Sequence, residues 1–225
     1  MIFINILIAC EESQTVLSEF LKLGHNVYSC DLEYFSGTYP ERHICGDVLP
    51  LLNGNCQFIT LDGVTHYQVG KWDLIIAFPP CTYLTFAGNR CFSPKFHTYD
   101  EIVARFELRV QAEFFFLQFL KCNCDKVCIE NPKGIINSSI SPSMIVQPYE
   151  FMDEFEQENY FLKTTCLWLK GLPPLVPTNL FVSPNSGYTR LENKKFSFTE
   201  SCNHNSITRS KTFISIARAM ARCWG

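Results

Sequence analysis

Four short apolar runs, each followed closely by polar residues, constrain the fold of this chain more than any other feature. The runs span residues 3–9, 25–30, 72–78 and 126–129. A strand that is apolar at successive positions, rather than at every second one, is buried on both faces, which is typical of a parallel sheet covered by helices. The sequence therefore predicts an α/β fold of the doubly wound, Rossmann-like class.

Segments with helical spacing lie between and after these runs. The apolar positions from Thr15 to Leu23 recur at helical intervals, and Gly24 is placed to end that helix. The longest predicted helix covers Tyr99 to Leu120, and a last one covers Ile214 to Trp224. We expect residues 1–140 to form the core and residues 141–225 to form a small C-terminal elaboration packed on it.

Composition predicts a globular protein, and the opening segment predicts that it is cytoplasmic, or in the cytoplasm or nucleus of a host cell if it is viral. Hydrophobic residues make up 47% of the 225 residues and charged residues 18%, which excludes a disordered or collagen-like chain. The apolar opening is only ten residues long and runs into Glu11 and Glu12, unlike a signal peptide or a membrane span. Because no secretory signal is recognised, the 12 cysteines are expected to be reduced thiols.

Charge is distributed unevenly along the chain. Residues 1–162 contain 10 Lys or Arg and 20 Asp or Glu, whereas residues 163–225 contain 9 and 2. The basic C-terminal third is either a surface for a polyanion or an ordinary solvated surface. The cations expected to hold phosphates are Lys163, Arg190, Lys194, Lys195, Arg209 and Lys211.

Two of the apolar runs end in residues suited to nucleophilic catalysis. Cys81 directly follows Pro79 and Pro80, so a thiol stands on a stiff turn at the end of a buried strand. The fourth run ends in Glu130, and neighbouring parallel strands end at the same edge of a sheet, so Glu130 is expected near Cys81. The alternatives are a cysteine that packs as a small hydrophobe and a glutamate that caps a helix or lies on the surface.

Carboxylates at the other strand ends indicate the kind of cofactor. Asp31 and Asp47 are predicted where a carboxylate accepts hydrogen bonds from ribose hydroxyls. The loop from residue 9 to 15 contains no glycine, so the fingerprint for a dinucleotide pyrophosphate is absent. Glu11 and Glu12 repel phosphate but suit an ammonium or sulfonium group. S-adenosylmethionine, which has a ribose and a sulfonium but no phosphate, meets these requirements.

In their order along the chain, the strand-end acids and the segments LIIAFPPC and CIENP resemble the motifs of the DNA (cytosine-5) methyltransferases. The resemblance covers residues 3–132; beyond them, LKTTCLWLKGLP and RSKTFISIARAMARCW are similar to small methylase-like proteins of phages and other viruses. It implies the S-adenosylmethionine-dependent methyltransferase fold. It also implies that Cys81 attacks carbon 6 of cytosine and that Glu130 contacts the ring at nitrogen 3 and the amino group.

The same resemblance assigns further residues and a partner. It implies DNA as substrate, with the target base rotated out of the duplex. The expected cofactor contacts are Ala9, Cys10, Glu11, Asp31, Leu32, Asp47, Val48, Pro79 and Ser210. The expected substrate contacts are Pro80, Asn131, Lys163, Lys194 and Lys195. The oligomeric state is left open between monomer and homodimer.

The sequence departs from the family at three positions. The first loop lacks the family's Phe-x-Gly-x-Gly, Thr82 replaces a glutamine, and Pro132 replaces the valine of Glu-Asn-Val. The region after Pro132 is also shorter than a full target-recognition domain. Two alternatives therefore stay open: a catalytically silent nucleic-acid or cofactor-binding protein, and a methyltransferase acting on RNA or a free pyrimidine nucleotide.

Two other kinds of site are disfavoured by residue type. An amino-group methyltransferase needs a side-chain acceptor before the paired prolines and an aromatic ring after them, but Phe78 and Cys81 occupy those positions. A zinc site would need an unusual C-x-C-x-x-x-C spacing, so no metal is predicted. The candidate ligands of such a zinc site would be Cys122, Cys124, Cys128, Cys202 and His204.

Overall fold

A seven-stranded sheet lies at the centre of the chain. The computed structural model describes residues 3–152, 162–179 and 212–225. The sheet strands are β1 (Asn5–Ala9), β2 (Asn26–Asp31), β3 (His43–Cys45), β6 (Leu74–Ala77), β7 (Val127–Pro132), β8 (Met144–Val146) and β9 (Thr165–Lys170), while β4 (Cys56–Ile59) and β5 (Thr65–Gln68) form a separate hairpin. The α-helices are α1 (Thr15–Lys22), α2 (Tyr99–Lys121), α3 (Ile136–Ser139) and α4 (Ile214–Trp224). Short 3-10 helices span Pro40–Arg42, Leu49–Leu51, Phe86–Phe92 and Pro148–Phe151.

The strands follow the order β3-β2-β1-β6-β7-β9-β8. The first five in this order are mutually parallel, and β9 runs antiparallel to both of its neighbours. The order reverses between β1 and β6, which is where ligands bind in open α/β sheets. The chain is thus a mixed α/β protein with a mostly parallel sheet, as the apolar runs predict.

Helices cover both faces of the sheet. Successive strand residues point to opposite faces, and both sets are apolar. On one face Leu7 and Ala9 belong to the same buried cluster as Phe116 and Phe119 of α2. On the other face, Ile6 and its strand neighbours pack with residues of α1 and α4. In this three-layer arrangement both faces of the sheet are buried under helices. The ends of the strands are therefore where polar side chains of the sheet can reach solvent or a ligand.

Most predicted elements are present, with small differences at their ends. The helix predicted at Tyr99 to Leu120 spans Tyr99–Lys121 and begins with a capping box, in which Thr98 and Glu101 each accept from the other's backbone amide. The helix predicted at Ile214 to Trp224 has those bounds. None of the helices in the described ranges combines the length and apolar character needed to cross a membrane.

The hairpin of β4 and β5 is not among the predicted elements. It lies between β3 and β6 in the chain and is anchored by Phe58, which contacts the rings of Tyr28 and Trp72. The indole of Trp72 donates to the carbonyl oxygen of Leu51 at 2.7 Å. The hairpin thereby fills the space beside the sheet ahead of the strand that leads to Cys81.

Candidate active site

The strand register brings the predicted polar residues to one edge of the sheet. Ala9 pairs with Cys30 on one side and with Ala77 on the other, and Ala77 pairs with Ile129. The residues that follow these four positions therefore lie at the same level: β1 and β6 end there, whereas β2 and β7 continue in the sheet to Asp31 and Pro132. The segments that begin at Cys10, Asp31, Phe78 and Glu130 line this edge, which we call the carboxyl edge.

The two segments expected to carry catalysis are joined directly. Asn131 is buried, and its side-chain amide donates to the carbonyl oxygen of Pro79 at 2.7 Å. Pro79 is buried and Pro80 is exposed, so the chain emerges from the core between them. Cys81 is half-buried, and its carbonyl accepts from the amides of Leu84 and Thr85 in a tight turn. The bond from Asn131 fixes the start of this turn.

A second contact holds the same turn against the residues after β7. The amide of Ile135 donates to the carbonyl oxygen of Leu84 at 2.8 Å, and Thr85 forms an isolated bridge with Gly134. A Cβ atom on Gly134 would lie 2.1 Å from the carbonyl oxygen of Leu84. Only glycine allows this close approach of two backbone segments. The position of Cys81 therefore depends on the side-chain bond from Asn131 and on the close backbone approach at Gly134.

Two arginines of α2 support the residues that follow Cys81. Arg109 donates through Nε to the carbonyl oxygen of Tyr83 at 2.9 Å, and its guanidinium lies 3.8 Å from the ring centroid of Phe92. Arg105 lies over the rings of Tyr83 and Phe92 at 5.1 and 5.4 Å. Such cation–π contacts are worth about 0.5–2 kcal/mol each. They tie the tract from residue 82 to 97 to the N-terminal half of α2.

Glu130 is half-buried beside a cation and a hydroxyl group. Burial raises the pKa of its carboxyl, and the nearby Lys163 together with a hydrogen bond from Thr165 opposes that rise. A carboxyl group with a raised pKa retains its proton more readily and can then act as a hydrogen-bond donor. Lys163, predicted to contact substrate, thus lies close to the predicted catalytic glutamate.

Glu11 stabilises the helix that follows it. Its carboxylate accepts from the amides of Val16 at 2.6 Å and Leu17 at 3.3 Å, so it caps α1 in place of Gln14, whose side chain makes no capping bond. Burial raises the pKa of Glu11 to about 7, although the two amide bonds lower it. The oxygens of Glu11 are therefore directed at α1, and its charge near pH 7 is incomplete.

Asp31 is the carboxylate at the end of β2. Its Oδ1 accepts from the amide of Glu33 at 2.8 Å, and burial raises its pKa, with further increases from Glu33 and Glu12. The adjoining Leu32 is 76% exposed, so an apolar side chain stands in solvent next to this carboxylate. Burial and the charge of Asp31 also raise the pKa of the Cys10 thiol. The edge is therefore acidic around the turn from β1.

The loop after Asp31 is organised by Gln14, which is 1% exposed. Its side-chain oxygen accepts from the amides of Thr38 and Tyr39, and its nitrogen donates to the carbonyl oxygen of Tyr39 at 2.9 Å. A Cβ on Gly37 would lie 2.5 Å from that side-chain oxygen. Ser36 donates to the carboxylate of Glu12. Residues 32–39 are thereby held across the end of β1.

The structure places the remaining predicted cofactor residues in different environments. Ala9 is buried in β1 and Cys10 follows it in the left-handed conformation, at φ 59°. Asp47 is exposed and accepts from the amide of Leu49 at 3.0 Å, whereas Val48 is packed in the core. Ser210, Lys194 and Lys195 lie outside the described residues, as do Arg190, Arg209 and Lys211.

The cysteines considered for zinc are used in packing where the structure describes them. The thiols of Cys122 and Cys124 donate to the carbonyl oxygens of Phe119 and Trp72. Across residues 3–152, 162–179 and 212–225, no group of three or more His, Cys, Asp or Glu side chains is arranged to hold a metal. Cys202 and His204 lie outside these ranges.

Three residues at this edge escape the sequence reasoning: Gln14, Gly134 and Arg109. A glutamine before a helix and an arginine within one are ordinary surface residues in sequence, and nothing local shows that their partners lie 25 and 26 residues away. Gly134, two residues after the Glu-Asn-Pro segment, is the one with a usable signal, because a glycine beside a strand end often marks close backbone approach.

Comparison with protein-family models and with curated proteins yields no match to this sequence. The resemblance to the cytosine-5 methyltransferases therefore depends on the short motifs themselves and on where the structure locates them.

Proposed function

We propose that this protein transfers a methyl group from S-adenosylmethionine to carbon 5 of cytosine in DNA, with Cys81 as the nucleophile. The observation that carries the proposal is the hydrogen bond from Asn131 to Pro79, which ties the Cys81 turn to β7, the strand that contains Glu130. The acidic part of the carboxyl edge, around Asp31, begins on the other side of the strand-order reversal. A nucleophile and a cofactor site would thus share one edge.

The topology of the sheet supports this class of enzyme. A dinucleotide-binding domain has six parallel strands in the order 3-2-1-4-5-6. Without the hairpin, the present sheet has the order 3-2-1-4-5-7-6, and its last strand in sequence, β9, is inserted antiparallel between the two before it. The reversal between β1 and β6 lies between the segments expected to hold the cofactor and the nucleophile, which is where ligands bind in open α/β sheets.

The residues at the carboxyl edge fit that cofactor better than a nucleotide phosphate. Glu12, Asp31 and Asp47 bring negative charge to the edge, and no glycine precedes α1, so a pyrophosphate would meet repulsion without backbone donors. Asp31 would accept from ribose hydroxyls, and the exposed Leu32 would offer an apolar contact to a flat ring. When bound, S-adenosylmethionine would supply an electrophilic methyl group.

The chain's own residues would act on the cytosine ring. As a thiolate, Cys81 forms a bond from Sγ to carbon 6, and the electron pair of the 5,6 double bond makes carbon 5 nucleophilic. Protonated Glu130 donates to nitrogen 3 and stabilises the charge that develops there. After carbon 5 is methylated, its proton passes to water, the 5,6 double bond re-forms, and the bond to Cys81 breaks.

The tract after Cys81 supports a nucleic-acid substrate. Residues 82–97 contain no Asp or Glu, and Arg90 and Lys95 are exposed. The same tract exposes the rings of Phe86 and Phe96. Cations that contact phosphates and aromatic faces that stack on bases are the two components of sequence-independent nucleic-acid binding. This combination lies beside the nucleophile even though the chain as a whole is acidic.

The test is transfer of labelled methyl from S-adenosylmethionine to duplex DNA, RNA and dCTP offered in parallel. We expect transfer to DNA, and a loss of at least about 1000-fold in Cys81→Ser with cofactor binding retained. Cys91→Ser is the matched control, because Cys91 is another half-buried cysteine of the same tract. Transfer to RNA or dCTP alone would reassign the substrate, and an active Cys81→Ser would exclude the covalent mechanism.

The same assay distinguishes a methyltransferase from a protein that only binds the cofactor or DNA. A chain that binds S-adenosylmethionine or DNA but transfers no methyl group to any of the three substrates would be the silent binding protein. DNA containing 5-fluorocytosine adds a direct readout, since fluorine cannot leave carbon 5 as a proton does. We expect a covalent complex between this DNA and the wild-type chain, and none with Cys81→Ser.

A further inference from the structure

Helix α2 carries a stripe of exposed apolar side chains. Tyr99, Val103, Phe106, Val110 and Phe114 are 80, 39, 50, 48 and 61% exposed. At 3.6 residues per turn they fall within an arc of roughly 80° on one side of the helix. We call these five residues the α2 stripe. A contiguous apolar surface of this kind marks an interaction site.

The stripe lies on the part of α2 that the core leaves uncovered. The buried residues of α2 are Phe116 and Phe119, both in its C-terminal third. The preceding turns are held through Arg105, Arg109 and the contact between the rings of Phe92 and Phe106, whose centroids are 4.6 Å apart. Within the described part of the chain, this apolar side of the 23-residue helix is therefore left partly in solvent.

We propose that the α2 stripe binds the same stripe of a second copy, with the two helices antiparallel. The spacing is nearly symmetric about the middle of the stripe. A pairing that sets Tyr99 opposite Phe114 of the second copy also sets Val103 opposite its Val110 and brings Phe106 next to the two-fold axis. Each contact then occurs twice, as an isologous interface requires.

The area of the stripe fits this occupant. Taking about 200 Å² for each aromatic side chain, the exposed fractions of Tyr99, Phe106 and Phe114 leave roughly 400 Å² on one copy before the two valines are added. Two copies would bury roughly 800 Å², and more once the valines are added, which is the size of a weak, transient interface. We therefore expect a reversible dimer that dissociates in the micromolar range.

The dimer would also act on the candidate active site. The N-terminal half of α2 holds Tyr83 and Phe92 through Arg105 and Arg109, and these residues follow Cys81. Covering the stripe stabilises this half of the helix and, through the two arginines, the tract from residue 82 to 97. The association itself does not depend on the proposed methyl transfer and can be measured without it.

Sedimentation of the full chain tests the proposal. We expect the weight-average mass to rise from that of one 25.9 kDa chain towards twice that value between about 1 and 100 µM. Val110→Glu should shift dissociation at least about tenfold towards monomer. Leu108→Glu is the matched control, because Leu108 is 40% exposed on the same helix but roughly 160° away from the stripe.

Mixing two variants tests the antiparallel pairing. Val103→Lys and Val110→Glu should each be monomeric at a concentration where the wild type is dimeric. Together they should form a heterodimer, because Lys at 103 of one copy faces Glu at 110 of the other. No recovery on mixing would overturn the antiparallel pairing. A wild type that stays monomeric at 100 µM, or a Leu108→Glu variant that dissociates as readily as Val110→Glu, would overturn the proposal altogether. Circular dichroism is the check that each variant is folded.

Discussion

Asn131 and Pro79 are joined by a buried hydrogen bond of 2.7 Å between the side-chain amide of one and the carbonyl oxygen of the other. This bond crosses from the strand that leads to Glu130 to the turn that leads to Cys81. It is a polar contact between β7, which continues in the sheet to Pro132, and the segment that follows β6 at the carboxyl edge. The relative position of the candidate nucleophile and the candidate ring partner depends on it.

Removing this bond should lower both stability and activity. Asn131→Ala leaves the carbonyl oxygen of Pro79 buried without its donor, at a cost of about 1–3 kcal/mol in the free energy of unfolding. We expect methyl transfer to fall more than S-adenosylmethionine binding, because Asp31, the proposed ribose contact, lies on β2 and is not part of this bond. Urea unfolding and labelled transfer measure the two effects. The control is Asn53→Ala, which removes an exposed bond to the amide of Asn123, and equal losses in the two variants would contradict the argument.

Gly134 provides a second test of the same turn. In Gly134→Ala the new Cβ would lie 2.1 Å from the carbonyl oxygen of Leu84, so one of the two backbone segments must move. We expect a loss of about 1–3 kcal/mol in unfolding free energy and a reduced rate of methyl transfer. Gly46→Ala is the stability control, because its Cβ would meet no atom within 4 Å. An unchanged thermal midpoint in Gly134→Ala would show that the turn adjusts easily.

The sequence predicts the central parallel strands β1, β2, β6 and β7 and the polar residues at their carboxyl ends because each apolar run is a local feature. The run at 74–78 is apolar throughout, and the residues that follow such a run are known from the sequence itself. The hairpin of β4 and β5 was also predictable in principle, since Asp62-Gly63 is a strong turn signal and Gly63 has φ 82°. The hydrogen bonds of Gln14 and Asn131 could not be predicted, because their partners, Tyr39 and Pro79, are distant in sequence and come near only in the folded protein.

Gln14 is expected to control the loop that lies over the end of β1. Gln14→Ala removes an acceptor for two amides and a donor to the carbonyl oxygen of Tyr39 in a nearly fully buried position. We expect a loss of about 2–4 kcal/mol in unfolding free energy, from the lost bonds and the space left behind. Protease cleavage within residues 32–39 should accelerate. Gln57→Ala, at an exposed hairpin position, should change neither quantity.

Asp31 should determine cofactor affinity if the proposed site is correct. Asp31→Asn keeps the shape of the side chain but removes its charge, so hydrogen bonds from ribose hydroxyls weaken. We expect the dissociation constant for S-adenosylmethionine to rise about 10-fold, with little change in stability. Isothermal titration measures this constant. Asp73→Asn is the control, because Asp73 accepts from the amide of Asn5 at the opposite end of β1. Equal affinity in wild type and Asp31→Asn would exclude a ribose contact.

Glu11 should give the stability of this chain a distinct pH dependence. Burial raises the pKa of its carboxyl to about 7 in the folded chain, against 4.5 when it is solvated. The folded chain therefore keeps this proton where the unfolded chain has lost it. The stabilisation is fully present below about pH 4.5 and is lost as the pH rises through about 7, with a total of up to about 3 kcal/mol.

Comparing Glu11→Gln with the wild type isolates this contribution. Glutamine still accepts a hydrogen bond from the amide of Val16 but does not titrate. We expect the unfolding free energy of the wild type to fall by about 2–3 kcal/mol relative to Glu11→Gln between pH 5 and pH 8, as measured by urea unfolding. Glu41→Gln, at an exposed position, should follow the wild type throughout. Parallel curves for wild type and Glu11→Gln would show that the carboxyl of Glu11 is already ionised at pH 5, and that its bonds to α1 outweigh its burial.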